Sequence, residues 1–253
     1  MTYCLAIKVE EGLVLASDSR TNAGVDHVST YSKMHTFVWP KSRYFVLLSS
    51  GNLATTQAVV KRMRSEADHG AGIFSAPDMD AVAAYVGRLS TDIQKEHRER
   101  SNSDFEATFL LGGQIDGHTP EIFLIYPQGN YIHESADHPY LQMGETKYGK
   151  PILDRVIRRD TPLELAGRCA LVSINSTIRS NLTVGPPVEL LLYRNGGDAK
   201  HLSLSEHDPF YRALNDAWNE GLKHALNGLP KFEWEEERRA AQYVQEGGSG
   251  TMR

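Results

Sequence analysis

The run Leu13-Val14-Leu15-Ala16 is the feature that most constrains the fold of this chain. Four consecutive apolar residues in a short strand are typical of a sheet that is covered on both faces. An alternating apolar stretch over residues 2–8 precedes the run, and the turn Glu10-Glu11-Gly12 joins the two. The pattern therefore predicts a hairpin of strands 2–8 and 12–18 with a layer on each face. A hairpin of this length also returns Asp18 to the neighbourhood of Thr2.

Strands and helices alternate in blocks along the rest of the sequence. Strand periodicity over 35–39 and 43–49 is followed by helical periodicity over 52–67 and 78–98, and residues 24–27 are predicted to lie in a loop. Further predicted strands cover 105–114, 121–126, 130–133, 139–143, 188–193 and 200–204, and further predicted helices begin near 148, 162 and 208. This order predicts an α+β fold, a four-layer αββα sandwich. We expect a single domain over 1–245 and a flexible glycine-rich tail over 246–253.

Composition limits the classes of partner. The 253 residues are 40% hydrophobic and carry a net charge of −5, with no basic stripe interleaved with aromatic residues that would favour nucleic acid. There is no apolar run of the roughly 18 residues that a membrane span needs, and no secretory signal pattern. We therefore expect a cytoplasmic protein. Cys4 and Cys169 are predicted to be buried free thiols, with a disulfide between them as the weaker alternative.

Motifs for metals and nucleotide cofactors are absent from the sequence. No group of cysteines and histidines has the spacing of a zinc site, and the ten histidines are scattered. Neither the glycine pattern of a phosphate-binding loop nor that of a dinucleotide fold occurs. The sequence thus predicts neither a metal nor a cofactor.

Thr2 directly follows the initiator methionine. A small residue at this position allows removal of Met1, which would leave a threonine that carries both a hydroxyl and a free α-amine. The unperturbed pKa of such an amine is about 7.7–8.0, so near neutral pH a good part of it can accept a proton. A threonine with its own base attached is a known form of activated nucleophile. Because many chains begin Met-Thr, Thr2 alone does not establish catalysis.

Several ordered motifs resemble those of proteasome β subunits. Residues 16–20 close the second strand with Asp18, Lys33 precedes a hairpin, and Ser50-Gly51 opens a helix that contains Gln57. Four segments are more closely similar to Anbu, the bacterial proteasome homologue: 16–25, 51–57, 144–154 and 179–185. The resemblance extends from Thr2 to about residue 245.

The resemblance implies an N-terminal nucleophile hydrolase with a threonine-protease mechanism. It makes Thr2 the nucleophile, Asp18 its acidic partner and Lys33 its basic partner. It assigns the oxyanion hole to the backbone N–H of Gly51, and pairing with an extended substrate strand to Asn22. It further implies a homo-oligomer, either a closed ring or an open helical spiral, that acts on peptides or unfolded polypeptides without a cofactor.

Two features of the sequence depart from the proteasome pattern. Glu145 follows Gly144 where those enzymes have a serine, and no aspartate precedes the final hairpin. Ser180, Asn181 and Thr183 are the candidates for the missing hydrogen bonds. From the residues alone, Asp18 and Lys33 could also form an ordinary surface ion pair worth about 0–1 kcal/mol.

Three functions remain open at this point. The first is a threonine hydrolase that cleaves peptide or amide bonds inside a self-assembled compartment. The second is a proteasome-like scaffold with weak or no activity, and the third is an amidase for small modified peptides. The joint presence of Thr2, Asp18, Lys33 and Gly51 favours the first over the second, whereas the first and third share their chemistry.

Overall fold

The apolar run at 13–16 lies in the middle of the second strand of the computed structural model. This strand, Gly12–Asp18, is buried at every one of its seven positions. The first strand, Tyr3–Val9, pairs with it antiparallel, with Cys4 opposite Ser17 and Val9 opposite Gly12. The predicted N-terminal hairpin is therefore confirmed.

The structure describes residues 2–22, 28–101 and 103–235. The strands in these ranges are β1 Tyr3–Val9, β2 Gly12–Asp18, β3 Arg20–Asn22, β4 Val28–Thr30, β5 Met34–Trp39, β6 Arg43–Gly51, β7 Ala107–Ile115, β8 Glu121–Ile125, β9 Tyr131–His133, β10 Tyr140–Gly144, β11 Val188–Arg194 and β12 Asp198–Leu204. The α-helices are α1 Leu53–Asp68, α2 Met79–Arg98, α3 Lys150–Val156, α4 Leu163–Ser180 and α5 Pro209–Asn227, with a 3₁₀ turn at Gly72–Phe74.

Two five-stranded antiparallel sheets form the centre of the fold. One has the order β10-β1-β2-β11-β12, and the other has the order β5-β6-β7-β8-β9. The facing sides of the sheets share an apolar core that includes Leu13, Leu15, Leu48 and Leu110. Since β2 is central in its sheet, its apolar residues are buried on both faces, as the run at 13–16 predicts.

Helices cover the outer face of each sheet. Helices α1 and α2 pack on the β5–β9 sheet through a core that includes Met63, Val86 and Phe109. Helices α3 and α4 pack on the other sheet through a core that includes Leu153 and Leu171. The predicted α+β fold with four layers, αββα, is thus confirmed.

Side-chain caps fix where the first two helices begin. The side chain of Asn52 accepts a hydrogen bond from the backbone N–H of Thr55 at 3.2 Å, and that of Asp78 accepts one from Ala81 at 2.7 Å. Each satisfies one of the N–H groups that a first helical turn leaves unpaired. Asn52 matters for the site because it directly follows Gly51.

Local differences from the sequence-based expectations lie mainly between β2 and β5. Residues Arg20–Asn22 and Val28–Thr30 form a small antiparallel ladder on either side of the predicted loop. Three-residue strands with polar residues carry too little periodicity to be recognised in sequence. Elsewhere the elements are as predicted, with ends that shift by a few residues; the strand predicted at 105–114, for example, runs Ala107–Ile115.

The chain divides into two compact units, Met1–Leu214 and Asn215–Arg253. The division falls within one continuous helix, α5, and residues 236–253 lie outside the described ranges. The single domain over 1–245 and the flexible tail over 246–253 therefore stay predictions. In the described ranges, Cys4 and Cys169 are buried and free, and no helix has the length and apolar character needed to cross a bilayer.

Candidate active site

The hairpin of β1 and β2 brings Thr2 next to Asp18, as predicted. The backbone N–H of Tyr3, the residue after Thr2, donates to Asp18 Oδ1 at 3.0 Å. Asp18 is the last residue of β2 and has no solvent exposure. The residue that directly follows Thr2 is therefore bound to the end of the central strand.

Four donors surround the carboxylate of Asp18. Oδ1 accepts from the N–H of Tyr3 and from Lys33 Nζ, the latter at 2.6 Å. Oδ2 accepts from the backbone N–H groups of Arg20 and Gly185, each at 3.2 Å. A carboxylate has about four lone-pair positions, so these bonds use its full acceptor capacity. Three of the four donors are backbone groups, which fixes the carboxylate independently of Lys33.

Lys33 is buried beside this carboxylate. Its side chain is 8% exposed, and Nζ donates to the carbonyl oxygen of Arg20 at 2.7 Å as well as to Asp18. A buried ammonium is stable only when it is paired and hydrogen-bonded in this way. The alternative interpretation of Asp18 and Lys33 as an ordinary surface pair is therefore wrong.

The turn that carries Lys33 is fixed by a contact that the sequence analysis missed. Ser32 Oγ donates to Glu189 Oε2 at 2.7 Å, and the N–H of Met34 donates to Ser32 Oγ at 3.3 Å. Glu189 belongs to β11 and is largely buried. A side-chain contact between residues so far apart in the chain leaves no local pattern in the sequence.

Gly51 ends β6 in a conformation that favours glycine. Its φ is +106°, and a Cβ at this position would lie 2.4 Å from the carbonyl oxygen of Glu106. Both the backbone angle and the close approach exclude a side chain. Gly51 is thus an exposed residue without a side chain, at the point where β6 ends and the chain leads into α1.

A cavity of about 490 Å³ joins these residues. Thr2, Lys33 and Gly51 all line it. The other lining residues are Arg20, Thr21, Tyr31, Ser32, His35, Ser49, Ser50, Leu53, Thr56 and Gln57. Burial, together with the charge of Arg64, lowers the pKa of His35 to about 4, so its imidazole is neutral at pH 7. The structure therefore brings Thr2, Lys33 and Gly51 to one cavity, and Asp18 is bound to Lys33 behind the cavity lining.

A second set of contacts holds the main chain of Thr2. The N–H of Glu145 donates to the carbonyl oxygen of Thr2 at 2.8 Å. Gly144 has a φ of +85°, and a Cβ there would lie 1.9 Å from the same carbonyl oxygen. Glu145 was recognised in the sequence as a departure from the proteasome pattern but was not predicted as a site residue. Its position directly after Gly144 was the signal that could have found it.

The candidates near the end of α4 differ in their placement. Asn181 Nδ2 donates to Glu145 Oε2 at 2.8 Å, and Asn181 Oδ1 accepts from both the N–H and the hydroxyl of Thr183. Ser180 is exposed, and within the described ranges it has no hydrogen bond to Thr2, Asp18 or Lys33. The backbone of Asn22 pairs with Val28, while its side chain lies outside the description.

Metal ligands do not cluster in the ranges that the structure describes. No group of three or more histidine, cysteine, aspartate or glutamate side chains there could hold a metal ion.

The chemistry that Thr2, Lys33 and Gly51 can perform is that of a hydroxyl nucleophile near a buried ammonium. The cation favours the deprotonated hydroxyl, and a nearby backbone N–H can stabilise an oxyanion.

Comparisons with known proteins identify the family of this chain. The family model described as Proteasome subunit matches residues 2–191. Proteasome subunit beta 2 of Pyrobaculum neutrophilum is 25% identical over 195 residues, which cover 76% of this chain and 89% of that protein.

Solved structures of Anbu proteins match the fold over nearly the whole chain. Anbu (ancestral beta-subunit) from Yersinia bercovieri has a TM-score of 0.85 and 40% identity, covering 91% of this chain and 98% of that one. A structure of the helical assembly of the Anbu complex from Pseudomonas aeruginosa has a TM-score of 0.86 and 43% identity, again covering 91% and 98%. The chain therefore belongs to the proteasome subunit family, in its Anbu group, and has the fold of N-terminal nucleophile hydrolases.

Proposed function

We propose that this protein is an N-terminal threonine hydrolase that cleaves peptide or amide bonds through an acyl-enzyme on Thr2 after removal of Met1. The observation that carries the proposal is the buried ion pair of Lys33 with Asp18, because Lys33 and Thr2 line the same cavity. An ammonium held in place at such depth favours formation of an alkoxide nearby.

The proposed mechanism uses both functional groups of Thr2. The α-amine accepts the proton of the hydroxyl while Oγ1 attacks the substrate carbonyl, and it then passes that proton to the leaving amine. Lys33 stabilises the developing negative charge on Oγ1. Asp18 pairs with Lys33 and orients it, since the position of the Asp18 carboxylate is fixed by three backbone N–H groups. Water then hydrolyses the ester and releases the second product.

Gly51 is proposed to serve as the oxyanion donor. Its backbone lines the cavity with Thr2, and its left-handed conformation turns the peptide at the end of β6. A donor of this kind stabilises the tetrahedral intermediate, and loss of one typically costs about 10²–10³ in rate. A cavity of about 490 Å³ is within the range of ligand pockets and can take a peptide side chain next to the bond that is cleaved.

We further propose a homo-oligomeric assembly in the cytoplasm that encloses the catalytic chambers and acts on peptides or unfolded polypeptides. Membership of the proteasome subunit family and the helical assembly reported for the Pseudomonas aeruginosa relative support this proposal. An extended substrate could add as a strand along the β3 backbone that includes Asn22. Sedimentation velocity would test the assembly, and a monomer at micromolar concentration would contradict it.

Intact-mass spectrometry with a peptide epoxyketone tests the catalytic proposal. Wild-type protein is expected to lack Met1 and to gain the mass of one inhibitor, because the reagent reacts with both the hydroxyl and the amine of an N-terminal threonine. Thr2→Ala is expected to lose Met1 and to gain no inhibitor. Protein that lacks Met1 and still forms no adduct would contradict the proposal and favour a scaffold role.

A further inference from the structure

Glu145 lies directly opposite Thr2 at the end of the β1–β10 ladder. The last ladder pair is Tyr3 with Gly144, and the N–H of Glu145 donates to the carbonyl oxygen of Thr2 one step further on. Opposite residues of an antiparallel pair that share such a bond have Cα atoms about 5.5 Å apart. The side chain of Glu145 therefore starts beside the residue whose amine would become free on removal of Met1.

The carboxylate of Glu145 is largely buried, and one of its two oxygens is hydrogen-bonded to Asn181. The residue is 8% exposed, and Oε2 accepts from Asn181 Nδ2 at 2.8 Å. Asn181 in turn is fixed by the N–H and hydroxyl of Thr183. Oε1 has an ion pair at 3.4 Å with Lys147, whose side chain is 66% exposed. A water-exposed partner at this distance adds little and leaves Oε1 able to accept a further donor.

Asp18, the other carboxylate beside Thr2, has no such capacity. Its two oxygens already accept the four hydrogen bonds described above, and its charge is matched by Lys33. Thr2 shares its cavity with the cations Lys33 and Arg20, so a negatively charged acceptor would stabilise an α-ammonium on Thr2. Glu145 is the carboxylate in the described ranges that has both the position and the free lone pairs.

We propose that Glu145, clamped by Asn181, is a positioning residue that accepts a hydrogen bond from the α-ammonium of Thr2 and supplies the negative charge that sets its proton affinity. This inference rests on the proposed function of Thr2 as nucleophile and base. The charged groups around Thr2 in the described ranges are Asp18 from β2, Arg20 from β3, Lys33 from the turn before β5 and Glu145 with Lys147 from the turn after β10. His35 on the cavity wall is neutral above about pH 4.

The sign of the effect follows from this charge balance. A nearby negative charge favours the ammonium form and raises the pKa of the amine, whereas the cations lower it. The amine acts as a base in its neutral form, so the reaction rate rises with pH through this pKa. Loss of the charge at Glu145 must therefore move the acidic limb of the rate profile to lower pH.

Glu145→Gln tests the proposal with little change of shape, because the amide oxygen can still accept from Asn181. The measurement is the rate of epoxyketone adduct formation as a function of pH, on protein verified by mass to lack Met1. We expect the midpoint of the acidic limb to fall by about one pH unit, together with a lower maximal rate. An unchanged midpoint in a variant that still reacts would overturn the proposal.

Glu134→Gln is the matched control. Glu134 is a buried carboxylate that is paired with Lys8. Lys8 lies six residues after Thr2, which along a strand corresponds to a distance of about 20 Å from Thr2. We expect this variant to be less stable but to keep the wild-type midpoint. An equal shift in both variants would mean that a general loss of charge or stability moves the limb, and would overturn a specific role for Glu145.

A direct titration of the amine separates this inference from the proposed function. The Cα chemical shift of Thr2 in ¹³C-threonine-labelled protein reports the amine pKa without any reaction, and its signal is identified by its loss in Thr2→Ala. A lower pKa in Glu145→Gln supports the inference even if wild-type protein forms no adduct, which would contradict only the proposed function. An adduct in wild-type protein with equal amine pKa values in both proteins would contradict only the inference.

Discussion

Two lysine–carboxylate pairs with a buried carboxylate lie at opposite ends of β1, and the two carboxylates have different hydrogen-bond partners. Asp18 pairs with Lys33 at the Thr2 end, where three backbone N–H groups also hold the carboxylate. Glu134 pairs with Lys8 at 2.6 Å at the other end, with Arg159 at 3.8 Å as the other cation. In the described ranges, no backbone N–H donates to the Glu134 carboxylate.

This difference indicates that burial of an ion pair is not by itself a mark of function. At the far end, the cations are what keep a buried carboxylate paired, so that pair serves the fold. At the Thr2 end, the backbone already satisfies most of the carboxylate, and the lysine is available to act on the cavity. Replacement of Lys33 should therefore lower mainly the activity, whereas replacement of Lys8 should lower mainly the stability.

Among changes that leave Thr2 in place, replacement of Lys33 should have the largest effect on reactivity. In Lys33→Met, Thr2 loses the neighbouring cation, and we expect the rate of epoxyketone adduct formation to fall by about 10³-fold or more. Stability should fall by only about 1–2 kcal/mol, since Asp18 keeps its three backbone donors. Urea denaturation measures the second quantity. A variant that reacts normally would remove Lys33 from the site.

Gly51→Ala should damage the same end of the molecule through the backbone. The new Cβ would lie 2.4 Å from the carbonyl oxygen of Glu106, at a φ of +106°. We expect a loss of about 2–3 kcal/mol in stability and about 10²-fold in adduct rate, because the oxyanion donor moves.

The matched control for this change is Gly117→Ala. Gly117 also has a positive φ, +78°, but an added Cβ there meets nothing within 4 Å. We expect it to cost about 1 kcal/mol and to leave the adduct rate unchanged. If both variants lost reactivity equally, the effect could not be assigned to the position of the Gly51 peptide.

Replacement of Lys8 should give the opposite result to replacement of Lys33. In Lys8→Met, Glu134 keeps only the more distant Arg159, so we expect a loss of about 2–3 kcal/mol in the free energy of unfolding. The rate of adduct formation should stay within about twofold of wild type at a temperature where the variant is folded. Loss of reactivity without loss of stability would contradict the comparison.

Lowering the pH should reduce the free energy of unfolding through protonation of His35, which lines the cavity with Thr2. Burial lowers the pKa of His35 to about 4, whereas in the unfolded chain it is about 6.5. As the pH falls, His35 is therefore protonated first in the unfolded state. The contribution of His35 to folded-state stability is complete above pH 6.5 and is lost as the pH falls toward 4. We expect His35→Gln to reduce the loss of stability between pH 7 and pH 4.5 by about 1–2 kcal/mol, as measured by urea midpoints at each pH. An unchanged pH dependence would show that His35 does not contribute.

More of the fold than of the candidate site could be predicted from sequence patterns. Alternation and apolar runs predicted the N-terminal hairpin and the blocks of helices, because burial on one or two faces leaves a period in the chain. The ladder of Arg20–Asn22 with Val28–Thr30 was missed because three polar residues carry no period. The resemblance supplied Thr2, Asp18, Lys33 and Gly51; in the structure Thr2, Lys33 and Gly51 line one cavity, and Asp18 is bound to Lys33.

By itself, the sequence determined the four-layer architecture, the family and the identity of the nucleophile candidate. Tertiary structure alone decided that Lys33 is buried rather than on the surface, that Glu189 fixes its turn through Ser32, and that Glu145 and Asn181 meet beside Thr2. The reason is physical: local periodicity records which face of an element is buried. The partners of a buried charge come from distant segments and are set only when the sheets and helices pack.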